Sequence, residues 1–426
     1  MKRRIVLPLL GTLGFALVAA LVLVHIADAP SDVSETPHAD IHPDAAMIER
    51  GSYLAAASDC AGCHSVAGQP PYSGGRKFDL PFGTIYGSNI TPDVRYGIGS
   101  WTDAEFIAAM YRGIAKDRHH LYPAFPYTSY TKMPISDVLA IKAYLFSLKP
   151  VSVPAPTNKV SFPFNQTWGI AYWNLLFNSK KRFRPDPSHT ERVNRGAYLV
   201  EGPGHCSLCH TPLNIAFAPR AGKEMAGTIV EGMRAYNISP DPKWGIGGWS
   251  DADLVNYLKH GFANNHGAAG GTMAEVVENS SAFMTDNDLL AIGAYLRQLP
   301  AQPGTVDQRE PSSDSVRLAP ASVELDAGAK IFVGACIGCH GLHGPYTARG
   351  SNLLGHPSVS DPTAQNAIYI MLHGVDLKTP NGRIYMPSFA SSYSDEEIAA
   401  VLTYSGDTFG TGALRVTAEM VRTARH

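Results

Sequence analysis

The sequence predicts a mainly α-helical chain of three small tandem lobes, joined by proline-rich linkers and preceded by one apolar N-terminal helix. Three observations predict it. The string Cys-x-x-Cys-His occurs three times and uses all six cysteines, helix-like segments are written more than once, and proline clusters separate the copies. Length agrees, since 426 residues divided by a domain of roughly 150 gives three. With 45% apolar and only 17% charged residues the chain can bury cores and is no disordered polymer. A formal charge of −2 lacks the basic footprint of a nucleic-acid partner, so DNA and RNA are excluded.

The N-terminal element spans residues 1–29. Met1-Lys2-Arg3-Arg4 is a cationic start, and no charge interrupts the apolar run from Ile5 to Val24. Ala27-Asp28-Ala29 supplies the small-x-small pattern of a leader-peptidase site. The apolar run is also long enough to stay as a membrane anchor, so cleavage after Ala29 and retention are both open. Either way the basic end stays cytoplasmic and the rest of the chain is exported.

The cysteine strings are Cys60-Ala61-Gly62-Cys63-His64, Cys206-Ser207-Leu208-Cys209-His210 and Cys336-Ile337-Gly338-Cys339-His340. Two thiols three residues apart lie on one side of a helical turn, where both can add to the vinyl groups of one haem. The adjacent histidine then faces the iron. Each lobe thereby gains a large apolar core component that a chain of ~100 residues lacks. A zinc site needs a second ligand pair that no lobe supplies, and a disulfide within each pair leaves the repeated histidine unexplained. The expected cofactors are three covalent haem c groups held by Cys60, Cys63, His64, Cys206, Cys209, His210, Cys336, Cys339 and His340.

The repeat extends past the cysteines. Arg50-Gly51-Ser52-Tyr53-Leu54 matches Arg195-Gly196-Ala197-Tyr198-Leu199, and Asn89-Ile90-Thr91-Pro92-Asp93 matches Asn237-Ile238-Ser239-Pro240-Asp241. Gly97-Ile98-Gly99-Ser100-Trp101 pairs with Gly245-Ile246-Gly247-Gly248-Trp249, the first glycine of each serving a turn. Thr102 and Ser250 then read as helix N-caps with acidic first turns. Closing helices carry Tyr144, Tyr295 and Tyr404. These copies give domains at 45–150, 191–300 and 323–410, linkers at 151–190 and 301–322, and a tail at 411–426. The first linker is rich in aromatics from Phe162 to Phe177, followed by Lys180, Lys181, Arg182 and Arg184. Packing within the chain is the favoured reading of those aromatics over membrane or partner contact.

Histidine fills one axial position of each iron, and methionine is the expected occupant of the other. Met386, in Tyr385-Met386-Pro387-Ser388-Phe389, serves the third lobe. Lobe one has Ala124-Phe125-Pro126 where a Met-Pro is expected, which leaves Met133. Met110 sits in an amphipathic helix pattern and reads as core. Lobe two offers Met273 and Met284, and glycines ahead of Met273, which allow close approach to a flat cofactor, favour Met273. His119, His120, His260, His266, His343, His356 and His373 read as surface or turn residues.

On these strings, together with Leu121-Tyr122-Pro123-Ala124-Phe125-Pro126-Tyr127 and Met273-Ala274-Glu275-Val276-Val277, the chain resembles the three-haem cytochrome c subunits of bacterial membrane-bound periplasmic dehydrogenases. Those enzymes oxidise alcohols, aldehydes, gluconate, sorbitol or fructose. The resemblance covers nearly the whole exported chain and implies class-I-like cytochrome c domains. It also implies a large catalytic subunit carrying a quinone, flavin or molybdenum cofactor, a small subunit, and a place at the periplasmic side of the inner membrane with ubiquinone as acceptor. Phe125 departs from the pattern, since some relatives carry the ligating methionine there. No nucleophile elbow, Walker loop or dinucleotide fingerprint occurs, so the chain reads as an electron-transfer subunit. A stand-alone haem enzyme, such as a peroxidase or thiosulfate dehydrogenase with one open axial position, is the alternative. A soluble shuttle without a fixed partner is the third reading.

Overall fold

The computed structural model describes residues 43–263, 266–306, 308, 326–341, 353–354 and 356–425. The apolar run 5–24, the Ala27–Ala29 site, His343 and most of the second linker lie outside the described residues. Among those described, no helix is long and apolar enough to cross a membrane. Helices dominate, with four small antiparallel sheets of two or three strands. By contacts the chain divides into two compact units, Met1–Ala55 with Cys63–Arg184, and Ala56–Gly62 with Pro185–His426.

One helix crossing recurs three times. Helix Ala45–Ala57 meets Ile135–Ser147, Glu191–Glu201 meets Asp286–Leu296, and Ala327–Ile331 meets Asp395–Phe409. At each crossing a glycine allows the backbones to touch: a Cβ on Gly51, Gly196 or Gly328 would lie 1.8, 1.9 or 2.3 Å from the carbonyl oxygen of Ala140, Ala291 or Ala400. Tyr144, Tyr295 and Tyr404 flank the same three contacts. The arginine before the glycine ties the first two crossings to the closing helix. Arg50 Nε donates to Asp137 at 2.9 Å, and Arg195 makes a two-pronged contact with Asp288 at 2.8 and 2.7 Å.

The expected N-caps form. Thr102 with Glu105 and Ser250 with Asp253 make reciprocal capping boxes, and Ser394 with Glu397 makes a third. Met110 is core, as its helical spacing predicts.

In the first unit the linker folds back on the body that precedes it. Lys159–Val160 adds a third strand beside Gly83–Tyr86, Phe164 stacks on Phe82 at 4.7 Å, and Asn174 receives the Tyr127 hydroxyl at 2.7 Å. The Arg182 guanidinium lies 3.6 Å over the Tyr111 ring and Nη1 donates to Thr131 O at 2.7 Å. Packing within the chain therefore accounts for part of the aromatic stretch. Phe162, Trp168 and Leu176 nonetheless stay 79%, 63% and 73% exposed.

The second unit holds three clusters of buried side chains. One centres on Val200, Ile246, Trp249, Leu254 and Leu296, another on Phe332, Ile398, Leu402, Phe409 and Leu414. A third places Leu377 against Ala269, Ala274 and Val277. A buried ion pair joins Arg234 Nε to Asp361 at 2.8 Å. Beside it, Asn366 exchanges two hydrogen bonds with the Arg234 backbone, at 2.7 and 3.0 Å. Removing one partner of such a pair strands a buried charge, so the contact holds these elements in one unit. Residues 411–426, separated as a tail by sequence, contain helix Ala418–Arg425, whose Val421 is fully buried.

Candidate haem site

Each Cys-x-x-Cys-His string lies on a short helix: Cys60–His64, then Ser207–His210 with Cys206 as its N-cap, then Ile337–His340. None of the six cysteines is in a disulfide. Burial pushes the Cys206 and Cys209 thiols up to about 12 and about 11, so both are protonated at neutral pH.

The histidines are oriented by backbone carbonyls. His64 Nδ1 contacts Ser88 O at 2.6 Å, and His210 Nδ1 contacts Tyr236 O at 2.7 Å. A carbonyl only accepts, so Nδ1 carries the proton and Nε2 keeps its lone pair for a metal. Burial lowers the pKa of both rings, the carbonyl bonds opposing it, which favours the neutral, ligating form.

The Asn-Ile-Thr/Ser-Pro-Asp loops explain this orientation, which spacing alone did not reveal. Asn89 and Asn237 immediately follow the two accepting carbonyls. Their side-chain oxygens accept from the backbone N–H of Thr91 at 2.9 Å and Ser239 at 2.8 Å. Their amide nitrogens anchor the loop to Val151 O and Gln302 O, each at 2.8 Å. Beyond the loop's proline, the chain turns back so tightly that a Cβ on Gly97 or Gly245 would sit 2.2 or 2.1 Å from the carbonyl of Thr91 or Ser239. The turn role expected of these glycines is what the structure has.

In the second unit a largely apolar cavity opens over Cys206, Cys209 and His210, with about 1650 Å³ free of protein atoms including its mouth. Met273, Met284 and Trp249 also line it. Trp249 Nε1 is buried without a hydrogen-bond partner among the described residues, and its ring stacks on His266 at 4.1 Å. A donor orphaned in an apolar cavity calls for an acceptor on the occupant. Haem would fit this donor set: Cys206 and Cys209 would hold its vinyl groups, the His210 imidazole and a methionine thioether would serve its iron, and the Trp249 indole N–H would serve a carboxylate side group. In the haem-loaded chain, Trp249→Phe is expected to shift the reduction potential of one haem by tens of millivolts and leave the others in place. A redox titration in which no component moves would contradict this role for the indole.

The methionines differ in setting. Met273 lies in the first turn of helix Gly271–Asn279 and is half-buried. Gly271 takes φ +51°, and the Met233 sulfur fills the space where its Cβ would stand. The glycine thus serves this close approach as well as the turn. Met386 ends strand Gly382–Met386, half-buried beside the third repeat's core. Met133 stands just before Pro134, the N-cap of helix Ile135–Ser147, and is 0% exposed.

Three histidines read as surface or turn residues lie away from the surface, His266 still within a turn. His120 and His266 are buried, and His356 lines the cavity wall. Burial first, then neighbouring His340, pushes the His356 pKa down to about 4, so it is neutral at pH 7. Spacing gave no signal for these placements.

Comparison with known proteins agrees with this chemistry. Residues 48–149 match the family described as "Cytochrome c", and residues 323–404 match "Cytochrome C oxidase, cbb3-type, subunit III". The chain is 36% identical over 400 residues to the alcohol dehydrogenase (quinone) cytochrome c subunit of Gluconacetobacter polyoxogenes, covering 90% of this chain and 84% of that one. It is 34% identical over 446 residues to the gluconate 2-dehydrogenase cytochrome c subunit of Pantoea cypripedii, covering 100% and 95%. A nicotinate dehydrogenase subunit of Pseudomonas putida is 40% identical over 363 residues, 84% of this chain, but the chain covers only 30% of that longer protein. Paired thiols, oriented imidazoles and full-length similarity place this chain in the family of cytochrome c subunits of dehydrogenases.

Proposed function

We propose that the chain is a triheme c-type cytochrome, passing electrons from a catalytic dehydrogenase subunit through three covalently held haems to ubiquinone. The reading assigns class-I-like cytochrome c domains to 45–150, 191–300 and 323–410. It keeps residues 1–29 as signal or anchor and places the body at the periplasmic side of the inner membrane. The observation that carries it is the cavity holding Cys206, Cys209 and His210 with Met273 and the unpartnered Trp249 indole. The triple recurrence of the glycine crossing supports three domains over two.

Bound haem c supplies a one-electron couple at its iron. The chain's own residues set its environment. Backbone carbonyls hold His64 and His210 with Nε2 free to ligate, Met273 and Met386 present thioethers, and the apolar walls keep water from the site. His340 is assigned the same role as its two counterparts. The partner is a separate large subunit that carries the substrate cofactor (a quinone, flavin or molybdenum centre), with a small subunit completing the complex. The relatives' names, alcohol and gluconate dehydrogenase cytochrome subunits, support that class of partner.

Purification of the chain from native membranes tests this. The expected result is a mature polypeptide heavier than its amino acids by three haems, co-eluting with a large dehydrogenase whose substrate reduces those haems, with a ubiquinone analogue reoxidising them. A colourless chain of bare polypeptide mass would overturn it.

A further inference from the structure

We propose that the iron carried by His64 has no methionine ligand and presents an open face to small haem-iron ligands such as carbon monoxide, nitric oxide or cyanide. This rests on His64 being an axial ligand, as argued above.

The first two repeats can be matched residue for residue as far as Phe125 and Met273. Helices Asp103–Arg112 and Asp251–His260 both end on a left-handed glycine, Gly113 at φ +63° and Gly261 at φ +80°. The pairings Ile114 with His120 and Phe262 with Ala268 follow at the same sequence spacing. The next N–H returns to the glycine carbonyl in both, Leu121 to Gly113 and Ala269 to Gly261, each at 2.7 Å. Four residues on stand Phe125 and Met273. A looser match holds further along. Two positions before each glycine, a side chain donates to a methionine carbonyl: the Tyr111 hydroxyl to Met133 O at 2.7 Å, and Lys259 Nζ to Met284 O at 2.5 Å. Phe125 therefore occupies the place of Met273, and Met133 the place of Met284.

Burial decides independently against Met133. An axial side chain faces the space its haem would fill, so it borders that space instead of being enclosed by protein on every side. His64, His210, His340, Met273 and Met386 are all partly accessible. Met133 is 0% exposed and meets only protein. Phe125 is partly accessible too, but its ring, edge-on to Tyr130 at 5.6 Å, has no atom that can ligate iron.

The test uses the full chain, exported and loaded with three haems, reduced and titrated with carbon monoxide. About one carbon monoxide per chain is expected to bind, detected by its spectral change. Phe125→Met is expected to abolish binding by restoring a thioether, whereas Met133→Leu is expected to leave the parent stoichiometry intact. Failure of the parent chain to bind carbon monoxide would overturn the proposal, whether His119, His120 or Met133 fills the position. So would binding that appears only in Met133→Leu, or that persists unchanged in Phe125→Met. A chain with no haem at all would instead overturn the proposed function, so the two failures are distinguishable.

Discussion

Alanine in place of Gly196 is expected to cost the haem-loaded chain roughly 2–4 kcal/mol of stability, read from denaturant or thermal unfolding. The added Cβ would sit 1.9 Å from the Ala291 carbonyl oxygen and 2.8 Å from the Tyr295 Cβ. Both obstacles belong to the rigid core of the opposing helix, so the helices must separate instead of a side chain rotating away. Separation also lengthens the Arg195–Asp288 contact across the same crossing. Gly51 and Gly328 make the same approach and are expected to behave alike. Gly169→Ala is the matched control, because nothing lies within 4 Å of its Cβ position. A Gly196→Ala chain as stable as the control would show that the crossing relaxes at little cost, and that the glycine is not what sets the helix spacing.

The second large effect concerns Met273, the proposed ligand of the second repeat's haem. Met273→Leu is expected to remove one low-spin, methionine-ligated signal and lower that haem's reduction potential by on the order of 100 mV. Met284→Leu conserves volume and is expected to cost less than about 1.5 kcal/mol while leaving the spectrum unchanged. Both side chains line the cavity, but Met284 is only 5% exposed and its carbonyl is held by Lys259. Met273 is the more accessible, on the helix turn opened by Gly270 and Gly271. If Met284→Leu lost the low-spin signal and Met273→Leu kept it, the ligand assignment would reverse. The match of Met133 with Met284 would then have to be reconsidered as well.

Much of the site was legible because its chemistry is local. Thioether attachment needs two thiols and an imidazole within one helical turn, so Cys206, Cys209 and His210 announce themselves by spacing alone. The caps at Thr102 and Ser250 were equally plain, since a capping box is complete within four residues. The Asn-Ile-Thr/Ser-Pro-Asp strings were recognised as repeats, but their task was not. The carbonyls they place at Ser88 and Tyr236 meet histidines 24 and 26 residues earlier, through contacts that no local pattern encodes.

By itself the amino-acid order determined the pairing of thiols with an imidazole, the helix starts at Thr102 and Ser250, and the recurrence of one unit, because each of these depends on neighbours a few residues apart. Folding in three dimensions decided that Met273 and Met284 line one cavity, that the Trp249 indole lacks an acceptor among the described residues, and that Arg234 is locked to Asp361 127 residues away. Whether a side chain points into a cavity or into protein is set by what packs behind it. Met133 is enclosed by protein on every side, and its carbonyl is held by the Tyr111 hydroxyl 22 residues earlier, a setting that its place before a closing helix does not reveal.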